Sequence, residues 1–288
     1  MKIGIDIGGT SIRVGSIINN KINKIEIFKN DVKHFQKMID KIFSIIDQLK
    51  DDQKIESIGI ASPGPLDIEN GIILNTPNLE TWNNKNIKEI FYAKYKVQIN
   101  INNDANVAAL GQYIIKNEKK PIHSILYFTI STGLGAGFVN QGKIFSGSKG
   151  LALEVYNAIP DLSSDKVTNS GIEFIASGKN IELNLQKLGV NISSAKEAFE
   201  MYKNNNNKVV NNYFLEMKNR LVQFFTTAIY FFNPSQVVLG GSVALHNKDF
   251  YINVFEEVKS ILNSGGFDIK LSFAENIDEA TLLGCSKL

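Results

Sequence analysis

Asp6-Ile7-Gly8-Gly9-Thr10 can be laid over Ser131-Thr132-Gly133-Leu134-Gly135, far along the same chain. The first stretch ends the alternating run Ile3, Ile5, Ile7, and the second ends the apolar run Ser124 to Ile130. Each passes from strand periodicity into glycines and back to a strand, Ile12 to Ile18 in one case and Ala136 to Asn140 in the other. A recurrence of this kind predicts an internal duplication. Ile22 to Ile27 extends the first copy, with Asn19-Asn20 as a turn, and Lys143-Ile144-Phe145 extends the second across a Gln141-Gly142 hairpin.

Outward from these copies the period changes. Val32, Phe35, Ile39, Ile42, Ile46 and Leu49 share one helical face, with Asp31 as its expected cap. Ile55 to Ala61 and Val97 to Ile101 read as strands, and helices are predicted near Ile87–Tyr95 and from Ala105. Later helices are predicted over 172–176, 195–203, 209–232, 249–262 and 279–286, with a strand at Gln236 to Leu239 before Gly240-Gly241. Strands followed by helices, twice over, predict two α/β lobes with a central cleft. The expected division is a first lobe over 1–117, a second over 118–275, and a last helix, 276–288, returning to the hinge or the first lobe.

The chain has 288 residues, 43% apolar and 21% charged, which fits an ordinary globular protein of one large domain or two medium ones. Lys and Arg total 31 against 29 for Asp and Glu, so the formal charge of +2 gives no electrostatic case for nucleic acid or an anionic membrane. No apolar run approaches the roughly 20 residues of a membrane span. The best, Leu221 to Phe232, is broken by Gln223, Thr226 and Thr227. Asp6 and the paired glycines interrupt the first apolar stretch, so no signal peptide is predicted and the cytosol is the expected compartment. A single cysteine, Cys285, excludes an intramolecular disulfide and a Cys-rich metal site. Asn204 to Asn207 reads as a polar loop. His34, His123 and His246 read as ordinary histidines, and Cys285 as core.

Three strand ends carry glycines: Gly8-Gly9-Thr10, Thr132-Gly133-Leu134-Gly135 and Gly240-Gly241-Ser242. Glycine lets backbone approach a ligand, and exposed N–H groups there cradle phosphate oxygens. None matches the Walker pattern or the dinucleotide fingerprint. Taken singly, each is also consistent with a plain turn. Asp6 precedes the first and is placed to hold Mg²⁺ through water. Asp104 follows a strand and opens a helix beside Asn102 and Asn103, so spacing alone allows either a helix cap or a base that takes a proton from a nucleophile.

Ile5 to Thr10, Asn103-Asp104-Ala105-Asn106, Ser131 to Gly137 and Leu239-Gly240-Gly241 resemble the ROK family, from Met1 to about Leu283. Its members are bacterial sugar kinases and sugar-responsive repressors with the actin-like, duplicated ribonuclease H-like fold. Asn75-Thr76-Pro77-Asn78-Leu79 to Trp82 is similar to another ROK stretch, with Asn78 as a candidate sugar contact. The resemblance implies that Gly8, Gly9, Thr10, Thr132, Gly133, Gly240 and Gly241 contact ATP. It implies that Asp104 is the base and that Asn103 bonds sugar hydroxyls. Gly150 to Asn157 resembles the segment that places a Glu and a His against the sugar; Glu154 matches, and Asn157 stands where the His would be. Glu173, in Gly171-Ile172-Glu173-Phe174, falls on a further sugar-binding Glu. Many ROK proteins build a zinc site from that His and three Cys. Pro160 to Ser170 has neither residue type, so no zinc is expected and order in this loop is expected from packing.

The activity implied is Mg·ATP-dependent phosphorylation of a hexose or N-acyl hexosamine, glucose or N-acetylmannosamine first, by a cytoplasmic homodimer. Two other classes compete. A repressor would carry a DNA-binding region before the core, for which Asp6, already in the first strand, leaves no expected room. A sugar-binding regulatory protein weakened in catalysis would fit the altered Asn157 but not the retained Asp6, Asp104 and glycine turns.

Overall fold

The computed structural model describes residues 1–76, 79–163 and 167–288. The first half runs β1 (Lys2–Ile7), β2 (Ser11–Ile18), β3 (Lys21–Lys29), α1 (Phe35–Lys50), β4 (Ser57–Ser62), β5 (Leu66–Asp67), β6 (Ile72–Ile73), β7 (Lys85–Asn86), α2 (Ile87–Tyr95), β8 (Gln98–Asn103) and α3 (Asp104–Lys119). The second runs β9 (Ser124–Ile130), β10 (Leu134–Asn140), β11 (Lys143–Ile144), α4 (Glu173–Ala176), α5 (Gly178–Lys187), α6 (Ala195–Lys203), α7 (Lys208–Phe232), β12 (Gln236–Gly240), α8 (Ser242–His246), α9 (Lys248–Leu262), β13 (Lys270–Phe273) and α10 (Ile277–Cys285).

The duplication is visible in the sheets. One has the order β3-β2-β1-β4-β8 and the other β11-β10-β9-β12-β13. In the first, β1 pairs antiparallel with β2 and parallel with β4, which pairs parallel with β8. In the second, β12 pairs parallel with both β9 and β13. The first two glycine turns therefore stand at equivalent places, after β1 and after β9. The third follows β12, the counterpart of β4. Asn19 and Asn20 have φ of 51° and 62°, and Gln141 and Gly142 have 50° and 76°, the left-handed pair that two-residue hairpins require.

The chain divides into two compact units. The first comprises 1–122, 137–152 and 275–288, and the second 123–136 and 153–274. In the first unit α1 buries Met38, Ile39, Ile42, Ile45, Ile46 and Leu49, the stripe read from the sequence. Full burial of such a side chain stabilises by about 1.5–3 kcal/mol. α10 crosses α3 at close range: a Cβ on Gly111 would lie 1.8 Å from the Ala280 carbonyl oxygen, and one on Gly284 2.2 Å from that of Val107. The second unit packs around α7, where Phe224 and Phe225 meet Phe128 of β9 at 5.2 and 5.1 Å between ring centroids.

Some local expectations differ from the structure. Asp31 does not cap α1, which begins at Phe35; its carboxylate instead meets the His34 ring at 2.9 Å and Lys37 at 3.5 Å. Asn207, read as loop, caps α7, its Oδ1 accepting the Val209 and Val210 N–H groups. α5, β13 and the small sheet β5-β6-β7 are additional elements. No helix among the described residues is long and apolar enough to cross a membrane.

Candidate active site

The candidate residues fall in both units, each described in turn. In the first, the turn after β1 is closed by the Gly8 N–H donating to Ser11 O at 2.9 Å. Asn30, directly after β3 and only 5% exposed, fixes it from below. Its Nδ2 donates to Gly8 O at 2.7 Å and its backbone N–H to Thr10 O at 2.9 Å. Gly9 and Thr10 are exposed. Asn30 was not singled out from the sequence, because one polar residue after a strand carries no pattern.

Asp6 is the last but one residue of β1, with its side chain 14% exposed. Its cross-strand neighbour Arg13 donates from Nη1 to Asp6 Oδ2 at 3.1 Å and from Nε to Asp278 Oδ1 at 2.9 Å. Burial pushes the Asp6 carboxyl up to about 6, against the pull of Arg13 and with help from the carboxylates of Asp104 and Asp278. Asp6 pairs with Ala61 of β4, and Ala61 with Asn102 of β8, so Asp104 opens α3 two strands along. Burial also raises the Asp104 pKa, opposed by N–H groups of Ala105 and of Asp104 itself. The Ala105 N–H lies 2.7 Å from Asp104 Oδ1.

The capping role left open for Asp104 belongs to Asn103. Its Oδ1 accepts from Ala105 N at 2.9 Å and Asn106 N at 3.4 Å. A capping oxygen of this kind contributes ~1 kcal/mol. Asn78 lies outside the described residues.

A carboxylate pair suits Mg²⁺, a hard cation that keeps most of its waters and takes one or two carboxylates with substrate phosphates. Asp6 meets that description, with one oxygen held by Arg13. Among the described residues, no group of three or more His, Cys, Asp or Glu is placed to hold a metal ion.

In the second unit two glycine turns converge. Ser131 and Thr132 on one, and Ser242 beyond Gly241 on the other, line a cavity of about 720 Å³ with Lys179, Phe199 and His246. That volume suits a nucleoside-sized ligand. The hydroxyls of Ser131 and Ser242 lie 3.1 Å apart. Gly241 takes φ 83°, and a Cβ there would come within 2.3 Å of Ile130 O, so β12 reaches α8 only through glycine. The α5 start closes on the same turn, Gly178 N–H donating to Ser131 O at 2.7 Å.

Glu173, the first residue of α4, faces this turn as well: its Oε2 accepts the Leu134 N–H at 2.8 Å and would lie 3.0 Å from a Cβ on Gly133. Asn157 Oδ1 accepts the Gly171 N–H at 3.1 Å. Glu154 is exposed. After Asn157, where order was expected from packing, hydrogen bonds join the described residues on either side. Asp161 N–H donates to Ser170 Oγ at 2.9 Å, and Arg220 of α7 donates to the carbonyls of Ile159 and Ser170. Arg220 went unnoticed in the sequence because bonds to backbone carbonyls leave no residue pattern on the accepting side.

Two five-stranded sheets of matching order, each with a glycine turn after its central strand, define the class: a duplicated, two-lobed actin-like α/β fold. The chain belongs to the ROK family, whose sequence model, described as "ROK family", matches residues 2–288. A glucokinase from Thermotoga maritima is 24% identical over 99% of this chain and 96% of its own length. A xylose repressor from Caldicellulosiruptor bescii is 26% identical over 98% of this chain and 76% of the repressor. The crystal structure of a ROK hexokinase from Thermus thermophilus superposes with a TM-score of 0.87 at 23% identity, covering 99% of this chain and 96% of that one.

Proposed function

We propose that this protein is an ATP-dependent sugar kinase that phosphorylates a hydroxyl of a hexose or N-acyl hexosamine, glucose and N-acetylmannosamine being the first candidates. The observation that carries the reading is Asp104: a carboxylate at a strand-to-helix junction whose pKa burial raises, and whose charge in turn helps to raise the pKa of Asp6 two strands away. A general base works best when its pKa lies near the working pH, because it is then ionised yet basic enough to take a hydroxyl proton. Asp104 accepts that proton as the sugar oxygen attacks the γ-phosphoryl group. Asn103, Asn78, Glu154, Asn157 and Glu173 bind the sugar in this reading. Thr132 lines the 720 Å³ cavity, which takes the nucleotide in this reading. Gly133, Gly240 and Gly241, and in the first unit Gly8, Gly9 and Thr10, are the further nucleotide contacts that the family resemblance implies. Mg²⁺, held through water by Asp6, would neutralise charge on those phosphates. A cytoplasmic homodimer without zinc completes the proposal.

The likeness to a xylose repressor favours one other reading, a sugar-binding protein with a regulatory role. An ATP-coupled assay over glucose, mannose, fructose, N-acetylglucosamine, N-acetylmannosamine and xylose separates the two, with calorimetry of the same sugars alongside. Turnover of one or more sugars, abolished without Mg²⁺, supports the kinase. Tight binding of a sugar that is never phosphorylated replaces it with the regulatory reading.

A further inference from the structure

Arg220 and Tyr213 are two helical turns apart on α7 and so share a face. Both are spent on backbone carbonyls of the same segment. Tyr213 Oη donates to Ile175 O at 2.7 Å. Arg220 Nη2 donates to Ile159 O at 2.5 Å and to Ser170 O at 2.6 Å. Ile159 and Ser170 stand on two limbs of chain that run side by side. Ile172 N–H donates to Ala158 O at 2.8 Å, and Glu173 N–H to Tyr156 O at 3.0 Å. The limbs touch so closely that a Cβ on Gly171 would lie 2.3 Å from Asn157 Cα.

The two grips serve different ends. Tyr213 holds α4, and through it Glu173, whose carboxylate reaches the glycine turn at Leu134. Arg220 holds the limbs upstream of α4, where Asn157 sits. Charge-assisted bonds from one guanidinium to two carbonyls are strong and directional, and they constrain both limbs at once. They are also indifferent to which side chains the limbs carry. Ile159 and Ser170, in a segment with no thiolate or imidazole to bind a metal, are thereby held from outside it.

We infer that Arg220 is a positioning residue for the sugar site: it clamps the two limbs that carry Asn157, so that its loss is felt by the sugar and not by the nucleotide. The inference rests on the kinase reading for its kinetic consequence, but the clamp itself is open to test without turnover. The variants are Arg220→Met, Arg220→Lys and Tyr213→Phe. Hydrogen–deuterium exchange of peptides spanning 157–173 reads the clamp. Exchange should accelerate there in Arg220→Met, with the rest of the chain unchanged, and partly recover in Arg220→Lys, since an ammonium donates to these carbonyls but lacks the planar fork. KM for the sugar should rise about tenfold in Arg220→Met, as misplacement in a binding site commonly costs that much or more. KM for ATP should stay at the parent value, whereas Tyr213→Phe, which loosens Glu173 together with the Leu134 turn it bonds, should raise KM for the sugar and for ATP alike.

Unchanged exchange in Arg220→Met overturns the clamp. Faster exchange with no change in sugar KM, or with sugar and ATP parameters displaced alike, reduces Arg220 to a structural residue and overturns the positioning role. If Arg220→Met does not fold, the same comparisons on Arg220→Lys decide. Should the parent phosphorylate no sugar, the kinase reading fails by itself, and calorimetric sugar affinity in parent and variants takes the place of KM.

Discussion

Asp104 combines two demands that pull against each other. Burial raises its pKa, so the ionised form that accepts a proton is the form the native state penalises. Asp104→Asn removes both the proposed base and the penalty. Turnover should fall ~10²–10⁴-fold, while sugar binding by calorimetry survives. Stability should move the other way. Above both the folded and unfolded pKa values the parent carries the full cost of a buried charge, so at neutral pH the variant should melt higher. As pH falls through the raised folded-state pKa the parent binds its proton and the cost fades, vanishing below the unfolded value near 3.8. Parent turnover should lose its acid limb at a higher pH than an ordinary aspartate would give. A variant that melts lower than the parent at neutral pH, or turns over normally, removes Asp104 from the role. Asp6→Asn tests the neighbouring carboxylate. An indirect metal partner typically accounts for ~10–100-fold in affinity, so a Mg²⁺ titration of activity should shift by that much while sugar affinity holds. Both carboxylates were legible in the sequence, because acids beside glycine turns and strand ends are few. The bonds of Asn157 and Glu173 to backbone N–H groups were not, since neither partner leaves a side-chain signature.

At the scale of elements, strands and amphipathic helices followed from periodicity, while anchors and short pieces did not. α1 was plain from its apolar stripe, yet its start was misplaced because Asp31 bonds His34 and Lys37 in place of backbone N–H groups. α5 was missed because it buries only Ile181 and Leu185, and Ser177-Gly178 at its start reads as a turn. β5, β6 and β7 are two residues each, too short to show alternation. Asn30 is the case with a consequence for function. Two of its groups close the Gly8–Thr10 turn from beneath, and Asn30→Ala leaves the Gly8 carbonyl without its side-chain donor. The expected cost is about 1–2 kcal/mol in chemical denaturation. KM for ATP should rise while KM for the sugar stays put. Equal effects on both substrates would mean that the turn does not serve the nucleotide alone.

Across the whole molecule, the duplication was legible because the glycine turns repeat, and so was the fold class, but the order of strands in each sheet was not read. The packing of 137–152 with the first unit was not, because that segment continues a strand begun in the second and nothing in its composition marks the change. The same global view bears on metals. Cys285 is the chain's one cysteine, and it lies 2% exposed in α10 with its thiol bonded to Ile5 O at 3.3 Å. Burial pushes that thiol well above its ordinary pKa, away from the thiolate a zinc site requires. In the segment where zinc would be expected from the family resemblance, the described residues Asp161, Ser170 and Gly171 are bonded to Ser170, Arg220 and Asn157, through bonds that need no ion. Mg²⁺ is a different matter, because ATP brings its own demand for a cation at the phosphates. The protein should therefore lose turnover when Mg²⁺ is withdrawn and regain it on addition. A zinc-selective chelator should change neither turnover nor melting temperature, since no part of the fold would be released. Metal analysis of purified protein should find zinc well below one equivalent. A drop in melting temperature with the chelator, restored by zinc, would show that an ion shares the work here assigned to Arg220 and its neighbours.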